Sequence, residues 1–96
     1  MSNITLSSRN GDHVIVIKGQ FTFDSNQAFR NAYKSIPPSQ PITVDLSSTD
    51  YLDSAGLGML VRLREYAGNA VTLRGPNPTV RNILEIANFG RIFTIV

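Results

Sequence analysis

Two strand-like runs flank Asn10-Gly11, and from there to residue 96 helix-spaced and strand-like segments alternate. That alternation constrains the fold more than any other feature of the chain. In the first run Ile4 and Leu6 alternate with polar residues, the period of a half-buried strand. The second run, over 13–18, is rich in β-branched residues and is closed by Gly19, which marks another strand. Asn-Gly accepts the positive φ of a two-residue hairpin turn, so the chain opens with an antiparallel hairpin. Ala28, Phe29, Ala32, Tyr33 and Ile36 then recur at helical spacing. They predict a helix capped by Asp24 or Ser25 and ended by Pro37-Pro38.

The remaining elements follow the same logic. A strand is predicted over 42–46, and the polar stretch 47–54, interrupted by Tyr51-Leu52, reads as a turn-rich loop. A helix is predicted over 56–67, with Leu57, Leu60, Val61, Leu63 and Ala67 on one face and Gly68-Asn69 as its stop. Next come a strand over 70–73, a loop through Gly75-Pro76-Asn77-Pro78, and a third helix burying Ile83, Leu84, Ile86 and Ala87. Asn88-Phe89-Gly90 ends that helix, and the last strand covers 92–96. The order ββαβαβαβ implies βαβ crossovers and an α/β fold: a mixed, mostly parallel sheet with helices packed on it. No repeat, linker or low-complexity segment interrupts residues 1–96, so one domain is expected.

Composition narrows the function classes. The nine basic residues are scattered and the net charge is +2, so no nucleic-acid footprint is indicated. Cysteine is absent, which removes disulfides and thiolate metal sites. The first nine residues lack the apolar core of a signal peptide, and no apolar run approaches the ~20 residues of a membrane span. A cytoplasmic location away from membranes is the expectation. Asp45, Asp50 and Asp53 read as turn and cap residues rather than metal ligands, and no cofactor is implied.

The informative stretch is VDLSSTDYLDSAGLGML over 44–60. Asp53-Ser54 falls at or just before a helix N-terminus, where unpaired backbone N–H groups and a partial positive charge favour a phosphate. Ser54 offers the hydroxyl, and the small residues Ala55, Gly56 and Gly58 allow another backbone to come close. The plainer alternative makes Asp53 or Ser54 an N-cap and nothing more. Met59, Arg62 and Tyr66 fall outside the core-facing set of the same helix. They either form a partner-binding patch beside Ser54 or belong to a wide apolar face.

Leu52-Asp53-Ser54-Ala55-Gly56-Leu57-Gly58 resembles the D-S-x-G-L-G motif of the STAS family, the anti-sigma factor antagonists. Val44-Asp45-Leu46-Ser47 before it, Ile17-Lys18-Gly19-Gln20-Phe21 upstream, and the segments 71–76 and 80–89 downstream resemble the flanking family elements. The resemblance implies partner switching. Ser54, beside Asp53 in the motif that runs through Leu57 to Gly58, is then the acceptor for an ATP-dependent serine kinase of the GHKL type that doubles as an anti-sigma factor. A PP2C-type phosphatase restores the unphosphorylated form, which binds the partner. Some family domains instead act, without phosphorylation, as binding subunits of transporters or lipid-transport complexes. Two departures stand out. The acid that often follows the first glycine element is replaced by Thr22, leaving Asp24 as the nearest carboxylate for docking. The sequence also ends at the last strand, where many relatives continue into a further helix.

Catalysis by Ser54 itself is not expected. The single histidine, His13, sits beside the hairpin turn, and the G-x-S-x-G elbow is absent. Neither phosphate-cradling motif, G-x-x-x-x-G-K-[ST] or G-x-G-x-x-G, is present.

Overall fold

The computed structural model describes residues 2–96. Strands β1 (Ser2–Arg9) and β2 (Asp12–Phe21) form the expected hairpin. Asn10 and Gly11 connect them with φ of 51° and 85°, the left-handed pair a tight hairpin turn demands. A single 3-10 turn, Phe23–Ser25, leads into α1 (Asn26–Lys34). There follow β3 (Ile42–Asp45), β4 (Thr49–Leu52), α2 (Ser54–Tyr66), β5 (Val71–Arg74) and α3 (Pro78–Ile86). A second 3-10 turn, Phe89–Arg91, precedes β6 (Thr94–Ile95).

The sheet order is β1-β2-β3-β5-β6, with β4 also paired to β2. Among the described residues β1 pairs with β2 antiparallel, and the other four pairings are parallel. The α/β class and the mixed, mostly parallel sheet therefore stand as expected. One row of apolar residues crosses five strands in register: Leu6, Ile15, Val44, Leu73 and Ile95. Ile15, Val44 and Leu73 are fully buried. Their neighbours Val14, Val16, Thr43 and Thr72 on the opposite face are only half-buried. The helices thus cover one face, which explains why the parallel strands alternate instead of reading as continuous apolar runs.

The sequence expectation departs from the structure in four places. Residues 47–54 hold a strand: β4 buries Thr49 and Leu52 and exposes Asp50 and Tyr51. That pattern is neither alternating nor continuous, and its pairing partner lies some thirty residues away in sequence. The first helix ends at Lys34 and is preceded by the 3-10 turn. Ser25 occupies its N-cap position without a side-chain cap bond; its buried hydroxyl donates to the Gln20 carbonyl at 3.5 Å. On α3 the buried residues are Val80 and Leu84, whereas Ile86 is 79% exposed. The side of α3 that meets β4 turns Ile86 outward. Finally, the 3-10 turn after α3 buries Phe89 and Phe93 in contact, at 5.0 Å between ring centroids, which shortens the last strand.

The β3 end is fixed by Asp45. Its carboxylate accepts from the Ser47 N–H at 2.9 Å and from the Ser47 hydroxyl at 2.7 Å. Its second oxygen pairs with Arg74 of the neighbouring β5 at 3.1 Å. Partial burial pushes this carboxyl upward, but the Ser47 bonds and the Arg74 guanidinium together hold it below its ordinary value of 3.8. A lowered folded-state pKa gives stability that is present above the unfolded value and is lost as pH falls through the folded one. The Arg74 partner is half-exposed, so the pair contributes only about 0.2–1 kcal/mol. Asp45→Asn is expected to lose that amount at neutral pH and to show a shallower decline than wild type below about pH 4. Urea unfolding across the acidic range checks this.

Candidate functional site

The site is built by the turn between β3 and β4 and by the short step from β4 into α2. Past the Asp45–Ser47 turn, Gly19 N–H donates to the Ser48 carbonyl at 3.0 Å. The buried Thr49 hydroxyl donates to the Ile17 carbonyl at 2.7 Å. The far end of β2 then pairs with β4 through Gln20–Tyr51 and Phe21–Leu52, after a register shift at Gly19. Asn77 ties the other side: its Nδ2 donates to the Thr49 carbonyl at 3.0 Å while its Oδ1 accepts from Val80 N–H and caps α3.

Leu52 is buried as the last residue of β4, and Asp53 turns the chain into α2. Asp53 is the N-cap: its backbone is extended and its carboxylate accepts from Gly56 N–H at 2.8 Å. Ser54 is therefore the first helical residue, not the cap, and its side chain is exposed. The plain capping role thus falls to Asp53 and leaves the Ser54 hydroxyl to solvent. Of the first N–H groups of α2, that of Gly56 is taken by the Asp53 carboxylate. Those of Ser54 and Ala55 have no carbonyl one turn back to bond, and with the helix dipole they favour an anion beside Ser54.

The two glycines of the motif do different jobs. Gly56 is buried, and a Cβ there would fall inside the contact distance of the Phe21 carbonyl oxygen. Its smallness serves close packing of α2 on the end of β2, not approach from outside. Gly58 is exposed, and a Cβ there would meet nothing within 4 Å. The missing side chain leaves a trough of about 260 Å³ that runs from Ser54 and Ala55 past Gly58 to Arg62. Leu57 is half-buried against the core.

The expected outward set on α2 needs correction. Met59 is 4% exposed and belongs to the core, because α1 packs over that side of α2 and widens its buried face. Tyr66 is half-buried: its hydroxyl donates to the Ile36 carbonyl, and its ring lies 5.1 Å from that of Tyr33. Only Arg62 of the three stands exposed, and it lines the trough with Ser54. Asp24 is exposed on the 3-10 turn but does not line the trough.

Two trough residues escaped the sequence reading, Phe23 and Asn26. Phe23 is 70% exposed. Two residues after buried Phe21, it would face the same side had the strand continued. The 3-10 turn rotates it outward instead. A second large aromatic at a strand end just before a helix was the available signal. His13 sits at the opposite end of β2, roughly 25 Å from Phe21 at ~3.3 Å per residue. There it bonds Ser8 at 2.8 Å and Gln40 at 2.7 Å. Ser54 thus has no histidine base. Among the described residues no three His, Cys, Asp or Glu side chains group to hold a metal, and no helix is long and apolar enough to cross a membrane.

The unequal glycines give a direct contrast. Gly56→Ala is expected to destabilise the fold by about 1–3 kcal/mol through overpacking. Gly58→Ala is expected to stabilise it by up to about 1 kcal/mol through helix propensity. Urea unfolding of the two variants beside wild type measures both signs.

Comparison with known proteins places this geometry. The family model described as "Mlab, STAS domain" matches residues 4–96. A STAS-domain containing protein of Pseudomonas aeruginosa (strain UCBPP-PA14) is 43% identical over 99% of both chains. Among solved structures, an anti-sigma factor antagonist from Mycobacterium paratuberculosis superposes with a TM-score of 0.82 at 20% identity. It spans 99% of this chain and 85% of its own. A sulfate transporter family protein from Wolinella succinogenes superposes with a TM-score of 0.74 at 16% identity, over 88% of this chain and 73% of its own. With an aspartate-capped α2, an exposed serine at its first residue, and a family match over nearly every residue, the chain belongs to the STAS domain family.

Proposed function

We propose that this chain is an anti-sigma factor antagonist whose binding to a partner is switched by phosphorylation of Ser54. The observation that carries the proposal is the position of Ser54. Its hydroxyl is exposed at the first residue of α2, beside a trough that the absent side chain of Gly58 keeps open. The STAS fold and the likeness to an anti-sigma factor antagonist support it.

The chemistry of transfer belongs to the partner. A serine kinase of the GHKL type, itself the anti-sigma factor, supplies the phosphoryl group from ATP. The Ser54 oxygen attacks the γ-phosphorus of ATP, its proton passes to a base of the kinase and ADP leaves. A PP2C-type phosphatase hydrolyses the ester back to serine and inorganic phosphate. This chain contributes the acceptor and the docking surface and is not itself an enzyme. Ala55, Gly58, Arg62 and the exposed ring of Phe23 form the surface nearest the acceptor. A phosphate brings roughly −1.5 to −2 charge at neutral pH. In the free protein the α2 N-terminus stabilises it. In a closed interface the same charge meets desolvation and the adjacent Asp53 carboxylate, so the complex weakens.

A second reading, supported by the likeness to a sulfate transporter family protein, makes the chain a non-phosphorylated binding subunit of a transporter or lipid-transport complex. Intact mass and site mapping of the protein from its native cells separate the two. One phosphate on Ser54, absent from Ser54→Ala, is the expected result, with Ser54→Ala retaining its partner through cycles that release wild type. An unmodified Ser54 under all growth conditions, with a membrane complex co-purifying, would establish the second reading instead.

A further inference from the structure

We propose that the groove between α1 and α2 is a docking site for an acidic segment of a protein partner. The groove encloses about 320 Å³, and Arg30, Lys34 and Arg62 line it. All three are exposed, and the one ion pair among the described residues, Asp45 with Arg74, lies elsewhere. No acid faces them. α1 contains none, and Glu65, the single acid of α2, does not line the groove. Three unneutralised cations around one depression on a chain of net charge +2 form a local field, not a reflection of overall basicity.

The arrangement of these cations selects the class of ligand. Arg30 and Lys34 lie one turn apart on α1, and Arg62 faces them from α2. They are spread along two facing ridges, with Arg30 at mid-helix and Lys34 at the C-terminal end of α1 and Arg62 within α2. All three lie away from the helix N-termini, whose converging backbone N–H groups hold a single phosphate. Carboxylates spaced along a peptide match such a spread. The floor is aromatic: Phe29 and Tyr33 stand 5.5 Å apart and Tyr33 and Tyr66 5.1 Å apart. Lys34 Nζ lies 5.1 Å above the Tyr66 ring, so this cation is held over the floor. An acidic segment carrying an aromatic or aliphatic anchor would satisfy both rim and floor. Nucleic acid is disfavoured because Arg30, Lys34 and Arg62 are the basic residues that line the groove and the adjoining trough, too few for a phosphate-tracking stripe.

This groove joins the trough beside Ser54, since Asn26, Met59 and Arg62 line both. An acidic segment seated on Arg62 therefore shares one channel with the Ser54 side chain. If Ser54 is phosphorylated, a coupling that rests on the function proposed above, the phosphate repels the segment and competes for Arg62.

The test uses a fluorescent random copolymer of glutamate and tyrosine, with polyglutamate, inorganic phosphate and poly-dT as comparators. Binding is followed by anisotropy and by amide chemical shifts of the whole chain. The copolymer is expected to bind more tightly than polyglutamate, to weaken with salt, and to shift resonances of α1 and α2. The variant Arg30→Gln, Lys34→Gln, Arg62→Gln, all at exposed positions, should lose about tenfold in affinity while keeping its amide spectrum elsewhere. Wild-type affinity in that variant overturns the proposal. So does tighter binding of inorganic phosphate or poly-dT at the same residues, or shifts confined to Arg9, Arg81 and Arg91. Copolymer binding to protein carrying phosphoserine at 54 reads the coupling separately. Unchanged affinity there removes the coupling, and the triple variant alone decides the groove.

Discussion

The buried Thr49 hydroxyl, donating to the Ile17 carbonyl from 32 residues away, anchors the region that matters most in this protein. It holds the start of β4 against β2 where β3 has ended, so that two short parallel strands lie in series along one long one. The register shift at Gly19 lets the second half of β2 accept this new neighbour. From there, Phe21 and Leu52 sit side by side and form the seat for the first turn of α2. A buried hydroxyl without its acceptor would be costly, so this bond specifies the path of the chain into the motif as well as supporting it.

Within the motif, internal packing and external availability are divided among adjacent residues. Asp53 satisfies the helix end and Gly56 admits the Phe21 carbonyl, both inward duties. Ser54 and Gly58 face outward. Side chains a few positions apart on a helix point to different faces, so the small and polar residues within 53–58 can serve the fold and a partner at once. The Ser54 hydroxyl takes no part in the cap, because the cap belongs to its neighbour Asp53.

α1 shapes the surface beside Ser54. By packing over Met59 and Tyr66 it converts what would be an apolar stripe into core. Its own exposed Arg30 and Lys34 become the opposite wall. The result is a surface that is aromatic below and cationic above, continuous with the trough beside Ser54.

The fold class was legible in the sequence because period-two and helical patterns separated cleanly. Asn10-Gly11 marked the hairpin, β-branched residues marked β2, and prolines and glycines bounded the helices. The motif around Ser54 was legible too, since its residue types and spacing are local. Tertiary structure decided three things that local pattern could not. Thr49–Leu52 became a strand because β2 extends far enough to pair with it, although its own residues carry no strand period. Met59 went inside because a second helix covers it, a fact absent from the periodicity of α2 alone. Phe23 went outside because a 3-10 turn broke the alternation that Phe21 had begun. Short-range pattern records what each segment prefers; which face is covered, and by what, is settled by elements distant in the chain.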